Sequence, residues 1–386
     1  YACEYGFAEE LLQFHPFMEN AMKKRYIIPT AVMLAMVLLN VIARFSTAFS
    51  DFYVTNIFPA ITNALSFVSG LLPFSLGEIL IILGIILVII GVPLTVILLI
   101  FRKNSRRKTL GIAACTVLWV MCYITVTETM NCFIMYQCTP FSERYFDSAQ
   151  HTEEELTQLY AMLIDDANDL AKQVPRDKDN RFYLTADASA EAAKAMKAAA
   201  EDYPQLKGYY PKAKQIRFSY FMSQSNLLGI YFPFTLEANY NGDMVETNLP
   251  STLCHEYAHL KGVIQEDEAS FISYIATQKS SNAEFRYSGT LDAREYFHNQ
   301  IYESNITQAY YLTETISEEV TNDWFRFLPD DYWKVNAEKE VLPTESVSSA
   351  SETFIDTNIK MNGRKDGIKS YSHIVNLLLD YYFGQN

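Results

Sequence analysis

Three long apolar stretches dominate the first third of the chain. Residues 26–43, 79–101 and 109–127 contain no Asp, Glu, Lys or Arg. A helix of about 20 apolar residues is long enough to cross the roughly 30 Å hydrocarbon core of a bilayer. The pattern therefore predicts three transmembrane helices. Residues 46–76 are aromatic-rich and carry only the charge of Asp51, which is typical of a loop or helix at the membrane interface.

The first apolar stretch has two interpretations, a retained anchor or a removed signal peptide. Ser46-Thr47-Ala48 resembles a small-residue cleavage site, but it lies beyond Arg44. A retained anchor is therefore favoured. Because the Lys23-Lys24-Arg25 cluster immediately precedes the stretch, we expect the natural start at Met22 or Met18.

Two basic clusters set the expected orientation. Residues 23–25 and 102–108 lie on the same side of a three-span arrangement, and short basic loops face the cytoplasm. We therefore expect a cytoplasmic segment at 1–25, a membrane region at 26–138 and an extracytoplasmic domain at 139–386.

The polar part of the chain shows a mainly helical pattern with short strands. Thr152-x-x-Glu155 is a capping box that opens a helix towards Ala171, and Ser189 to Asp202 is alanine-rich. Further predicted elements are strands at 216–221 and 229–234, helices at 291–313 and 316–328, a connection at 329–348, a helix from Ser349-x-x-Glu352, turns at 362–363 and 366–367, and an amphipathic helix at 371–382.

Charge is distributed unevenly between the two parts. Residues 1–138 contain 9 Lys/Arg and 7 Asp/Glu, whereas the remaining residues contain 22 and 38, a net charge of about −16. Such an acidic domain is not expected to bind nucleic acid or an anionic lipid surface. The six cysteines show no CxxC spacing, and Cys254 is predicted to be a buried packing residue.

One short motif carries the candidate chemistry. Residues 253–262 read LCHEYAHLKG, which places His255 and His259 four residues apart with Glu256 directly after the first. On a helix, residues i and i+4 share a face, so both imidazoles can bind one metal ion, for which zinc is expected. Glu256 lies on an adjacent face, where its carboxylate can act as the general base towards a water held at the metal.

A third protein ligand is expected just beyond the motif. Gly262 can adopt the left-handed conformation that ends a helix, and the acids that follow suit the first turn of a returning helix. Glu266 is the predicted third ligand and Glu268 the alternative. Asp267 and one of the glutamates are expected to complement the helix dipole instead.

The runs CHEYAHLKGVIQEDEASF, GIYFPFTLEANYN, FRYSG, KMNGRKDGIKSYSHIVNLLLDYY and LLPFSLGE resemble the bacterial membrane-anchored DUF3810 family. The resemblance covers most of the chain beyond about residue 50, and implies a membrane protein with an HExxH metallopeptidase-like domain. Glu266-x-x-Ala269-Ser270 is also similar to the E-x-x-A-D pattern of membrane-embedded HExxH peptidases. Ser270 replaces the aspartate of that pattern, which leaves open the group that orients the imidazoles.

Several other residues are secondary candidates. By fold analogy, residues 229–241 could form the strand edge to which an extended substrate adds. Surface or packing roles are favoured over oxyanion contacts for four side chains in the FRYSG and SYSH runs: Arg286, Tyr287, Tyr371 and His373. Three polar residues could line the cleft or orient a histidine: Glu237, Asn239 and Asn241.

These patterns together predict a multi-span α-helical membrane region and a mainly α (α+β) zincin-like extracytoplasmic domain. The predicted activity is zinc-dependent hydrolysis of peptide bonds, with His255, His259 and Glu266 as ligands and Glu256 as catalytic base. The partners expected are a peptide or protein substrate and the lipid bilayer, without nucleic acid. The alternative is a non-catalytic metal-binding sensor or scaffold.

Overall fold

The computed structural model describes the backbone of residues 2–323, 328–362 and 373–384. Helices make up most of these residues, and a small sheet of three strands accompanies them. Gly363 of the turn predicted at 362–363, the turn predicted at 366–367 and Tyr371 lie outside the described residues, as do residues 324–327.

Among the described residues, three helices are long and apolar enough to cross a membrane: Lys24–Phe45, Leu76–Phe101 and Lys103–Gln137. The predicted spans 26–43, 79–101 and 109–127 all lie within them. Most of their large apolar side chains are exposed on the protein surface, as expected of lipid-facing helices. The helices of this part are α1 (Ala2–Phe45), α2 (Thr47–Phe52), α3 (Phe58–Gly70), α4 (Leu76–Ile86), α5 (Val92–Phe101) and α6 (Arg106–Glu128), with π-helical turns at Tyr53–Ile57, Leu87–Gly91 and Thr129–Phe133.

The segment between the first two apolar helices packs into the polar domain. Val54 and Phe58 belong to the same buried cluster as Leu253 and Leu260. The hydroxyl of Thr62 donates to the carbonyl oxygen of Leu260 at 3.1 Å. The main hydrophobic core is therefore continuous across residue 138.

The polar part contains the remaining helices and all three strands. They are α7 (Phe141–Tyr145), α8 (Glu153–Ala171), α9 (Ala188–Asp202), β1 (Lys214–Ile216), α10 (Ser219–Gln224), β2 (Gly229–Phe232), β3 (Glu237–Asn241), α11 (Leu249–His259), α12 (Glu266–Lys279), α13 (Ala283–Glu303), α14 (Thr307–Tyr310), α15 (Glu318–Asp323), α16 (Asp330–Val335), α17 (Thr344–Met361) and α18 (Ile374–Phe383).

The two helices predicted first in this part are confirmed. The Thr152 amide donates to Glu155 at 2.8 Å, and the Glu155 amide donates back to the Thr152 hydroxyl at 3.2 Å. Helix α9 begins after Asp187, whose carboxylate accepts from the Ala190 amide. Both starts follow from local capping chemistry, which the sequence displays directly.

The strand predicted at 216–221 is wrong beyond its first residue. The strand β1 ends at Ile216, and α10 begins at Ser219. The Ser219 hydroxyl donates to the Ile216 carbonyl oxygen at 2.7 Å, a local bond that closes a turn in place of further strand pairing. Phe218 and Phe221 therefore project outwards and are more than half exposed.

Several boundaries in the second half of the chain also differ from the prediction. Helix α13 begins after Asn282, whose side chain accepts from the Glu284 amide at 2.7 Å, and it ends at Glu303. Helix α17 begins after Pro343, five residues before the Ser349 predicted as its cap. The predicted 316–328 helix reduces to α15 within the described residues, and the 329–348 connection contains α16. Asn282, Pro329 and Pro343 directly precede α13, α16 and α17, and asparagine and proline are both common at helix starts.

The sheet places its strands in the order β1-β3-β2. β3 is central, parallel to β1 and antiparallel to β2, with Gly229 opposite Tyr240 and Phe232 opposite Glu237. Within the predicted 229–241 segment, β2 is therefore the strand with a free edge among the described residues.

Candidate metal centre

The HExxH motif occupies the last two turns of α11. Pro250 stands at the start of this helix, where its missing amide hydrogen is not needed, and the helix ends at His259. Gly262 follows with φ of 84°, and a Cβ there would lie 2.5 Å from the Val54 side chain. Both the conformation and the space favour glycine. The predicted turn is confirmed, and α12 begins at Glu266.

This turn brings the three predicted metal-binding side chains together. Nε2 of His255 lies 3.0 Å from Oε2 of Glu266, and Nε2 of His259 lies 3.7 Å from the same oxygen. Among the residues that the structure describes, these three form one group whose possible ligand atoms lie within 4.8 Å of one another. Two nitrogens and one carboxylate oxygen are the donor set of an open zinc site.

A second layer of hydrogen bonds orients both imidazoles. Nδ1 of His259 donates to the carbonyl oxygen of Val263 at 2.7 Å, because that oxygen can only accept. Nδ1 of His255 lies 3.1 Å from the Ser270 hydroxyl. Ser270, which stands where the E-x-x-A-D pattern has aspartate, therefore still contacts an imidazole. Sequence reasoning missed Val263, since a backbone carbonyl leaves no signal in residue type.

Glu256 lies beside this group but is not part of it. Its side chain is 4% exposed, and its Oε2 has no hydrogen-bond partner among the described residues. Gly229 of β2 packs against the carboxylate so closely that an added Cβ would collide with Oε1. Burial raises the pKa of Glu256 to about 8, in spite of the opposing charge of His259. A buried carboxylate oxygen without a hydrogen-bond partner is typical of a functional group.

The electrostatics of the cluster favour a cation between two carboxylates. Burial lowers the pKa of His255. Burial also acts to lower the pKa of His259, but the charge and hydrogen bond of Glu266 outweigh it and raise that pKa to about 9. Burial opposes the ionised form of Glu266, yet the two imidazoles hold its pKa well below the usual range. The residues therefore fit a bound metal ion on both donor type and charge.

Glu268, the alternative third ligand, points elsewhere. Its Oε2 accepts from the Ser142 amide at 2.9 Å and its Oε1 from the Ser142 hydroxyl at 2.6 Å. Two residues along a helix correspond to a rotation of about 200°, so Glu266 and Glu268 face opposite sides of α12. Asp267 lies 3.7 Å from Nδ1 of His373. The geometry distinguishes between acids that the sequence could not separate.

The secondary candidates in α13 are engaged away from the cluster. The Tyr287 hydroxyl donates to Asp323 at 2.8 Å, and Arg286 donates to the Ser280 carbonyl oxygen at 2.9 Å. These contacts agree with the packing roles favoured for them.

Of the three polar candidates in β3, Glu237 and Asn241 make structural contacts, whereas Asn239 has no role assigned to it. Glu237 forms a buried ion pair with Lys214. Asn241 donates to Ser223 at 2.9 Å and to the Leu227 carbonyl oxygen at 3.2 Å. Asn239 is fully buried, and its Oδ1 has no hydrogen-bond partner in the described part of the chain.

Tyr231 is a neighbour of the cluster that sequence reasoning did not identify. Its ring centroid lies 5.7 Å from that of His259, and its hydroxyl donates to the Asn131 carbonyl oxygen at 3.0 Å. The signal was available, because Gly229 and Tyr231 are two residues apart and therefore share one face of the strand. That face is the one turned towards α11.

Comparisons with known proteins add a family but no activity. Searches of curated proteins and of solved structures found no match. The family profile described as "Protein of unknown function (DUF3810)" matches residues 53–379, a range that contains the whole candidate centre. The chain therefore belongs to the DUF3810 family.

Proposed function

We propose that this protein is a membrane-anchored, zinc-dependent metallopeptidase that hydrolyses peptide bonds outside the cytoplasmic membrane. The observation that carries the proposal is the buried Glu256 carboxylate, whose Oε2 lacks a hydrogen-bond partner among the described residues and which lies beside the His255, His259 and Glu266 group. A purely structural role would leave this buried acid unexplained.

His255, His259 and Glu266 would hold the zinc ion. When bound, zinc would polarise the scissile carbonyl and increase the acidity of the attacking water. Ser270 and Val263 keep the imidazoles oriented through their Nδ1 atoms, so that both Nε2 atoms are directed at the same place.

Glu256 supplies the proton transfers. Its carboxylate accepts a proton from the attacking water as the new C–O bond forms. The carboxylic acid then donates that proton to the leaving nitrogen as the C–N bond breaks. A pKa raised by burial suits a group that must accept a proton and later release it.

The alternative is a non-catalytic sensor or scaffold in which a metal joins α11 and α12. A structural zinc site ordinarily has four protein ligands. The group found among the described residues has three members. The buried Glu256 carboxylate also favours the hydrolytic proposal.

The test is Glu256→Gln in the full-length protein within its membrane. Glutamine keeps the size of the side chain but cannot accept the proton. Zinc content should be unchanged, while turnover should fall by about 10²–10⁴-fold, the usual contribution of general acid–base catalysis. Glu154→Gln, which removes an exposed carboxylate from the first turn of α8, is the matched control.

The readout is an untargeted comparison of extracytoplasmic peptides from cells with each variant. Cleavage products should disappear in the Glu256→Gln strain and persist in the control strain. If Glu256→Gln cells match the wild type while His255→Ala cells match cells that lack the protein, the protein is a metal-dependent scaffold.

A further inference from the structure

Each of the three apolar helices contacts the polar domain at one end. These contacts lie towards the end of the first, at the start of the second and towards the end of the third. The amides of Leu76 and Gly77, at the start of the second apolar helix, donate to the Glu237 carboxylate at 3.2 and 2.9 Å. Four residues before the end of the third apolar stretch, residues 109–127, the Tyr123 hydroxyl donates to the Phe234 carbonyl oxygen at 2.7 Å. The turn between β2 and β3 therefore lies at the level where these helices leave their apolar stretches.

Strand β2 connects this level to the candidate centre. At the end of β2 nearest the apolar helices, Phe232 packs so closely on Gly77 that a Cβ added to Gly77 would lie 2.6 Å from the Phe232 ring. At the other end of β2, Gly229 packs against Glu256. Gly229 and Phe232 are three residues apart, so at about 3.3 Å per residue the contact with Glu256 lies about 10 Å along the strand from the contact with Gly77.

The third apolar helix gives an independent measure of the same height. Tyr231, beside His259, bonds the Asn131 carbonyl oxygen. Asn131 lies four residues beyond Thr127, which is roughly 6 Å along a helix axis. The headgroup layer on each side of a bilayer is roughly 5–8 Å thick. Both measures place the centre in or just above that layer.

Exposed apolar side chains surround the base of the polar domain. The Phe218 amide donates to Glu78 at 2.9 Å, which positions α10 over the start of the second apolar helix. Phe218 is 56% and Phe221 53% exposed. At the end of the first apolar helix, Arg44 donates to the carbonyl oxygen of Met361, whose side chain is 70% exposed. Such residues favour the membrane interface over water.

We infer that the substrate is an extended segment of a polypeptide held in the same bilayer by an apolar anchor, cleaved close to that anchor. This inference rests on the proposed function. The segment adds to the free edge of β2, the strand that runs from the membrane level to Glu256. A separation of about 10 Å along the strand, at about 3.3 Å per residue, places the scissile bond roughly three residues from the anchor.

The height of the centre is tested without any hydrolysis. A fluorescent amino acid is incorporated at Ile230 or Phe221 of the full-length protein, which is reconstituted in phosphatidylcholine vesicles containing headgroup-nitroxide lipid. Both positions should be quenched, because both lie at the headgroup level. Lys172 follows the end of α8, and its side chain is exposed. Its neighbours Leu170 and Ala171 belong to a second hydrophobic cluster, whose described members include no residue of the apolar helices. Lys172 is therefore the control and should not be quenched. Equal quenching at all three positions, or none at 230 and 221, overturns the inference.

The substrate class is tested with one randomised-sequence peptide library in three forms. The library is presented free in solution, fused to a transmembrane helix, or attached to an acyl chain in the same vesicles. Both anchored forms should be cleaved at least about 10-fold faster than the free form, since anchoring raises the local concentration. Cleavage should fall roughly three residues from the anchor.

The outcomes separate the two proposals. Equal cleavage of free and anchored peptides, abolished by Glu256→Gln, overturns the anchored-substrate inference and leaves the peptidase intact. Cleavage of no form by zinc-loaded protein overturns the peptidase and the inference with it.

Discussion

Replacing Glu266 and Glu268 separately should divide metal binding from folding. Glu266 faces both imidazoles, whereas Glu268 accepts two hydrogen bonds from Ser142. Glu266→Ala should therefore lose bound zinc. The loss should exceed the roughly 10–100-fold weakening that removal of an outer hydrogen-bond partner typically causes. Glu268→Ala should keep its zinc.

Glu268→Ala should instead destabilise the fold. A hydrogen bond to a charged group contributes about 1.5–3 kcal/mol, so the loss of both bonds to Ser142 costs about 3–6 kcal/mol. For a domain of this size each kcal/mol lowers Tm by roughly 2–4 °C, which gives a decrease of roughly 6–24 °C. Because Glu268 is only 2% exposed, the polar groups of Ser142 that lose their partner lie away from bulk solvent.

The assay measures zinc content and thermal unfolding of both variants in detergent. Zinc content is measured well below the Tm of each protein, so that unfolding does not mimic ligand loss. If Glu268→Ala empties the site while Glu266→Ala retains zinc, the ligand assignment is wrong by two residues.

Further predictions concern the support of the site and the membrane orientation. Ser270→Ala removes the hydroxyl beside Nδ1 of His255 and should weaken zinc affinity about 10–100-fold in chelator competition, with unchanged affinity arguing against its orienting role. Gly262→Ala should cost about 1–3 kcal/mol of unfolding free energy because of its positive φ, whereas Gly84→Ala, with open space around the added Cβ, should not destabilise. A reporter fused at Ser105 should be cytoplasmic and one at the carboxyl terminus extracytoplasmic, and the reverse result would place the centre on the other side.

The sequence predicted those features that depend on short-range chemistry. The capping box at Thr152 and the turn at Gly262 each rely on residues within one or two helical turns, and each apolar span relies on the composition of one continuous stretch. The same holds for His255 and His259, because four residues on a helix fix their common face. Predicted boundaries were wrong where a side chain formed an unanticipated local hydrogen bond, as the Ser219 hydroxyl did at the end of β1.

Only the tertiary structure decided which of several chemically equivalent residues faces the candidate metal centre and which makes a structural contact. Glu266 and Glu268 are the same residue type two positions apart, and only the packing of α12 on α11 and α7 turns one to the imidazoles and the other to Ser142. Likewise, no local pattern relates β2 to the third apolar helix. Residue type and spacing fix local geometry, whereas contacts between distant segments arise only when the chain buries a common core, which here joins both sides of residue 138.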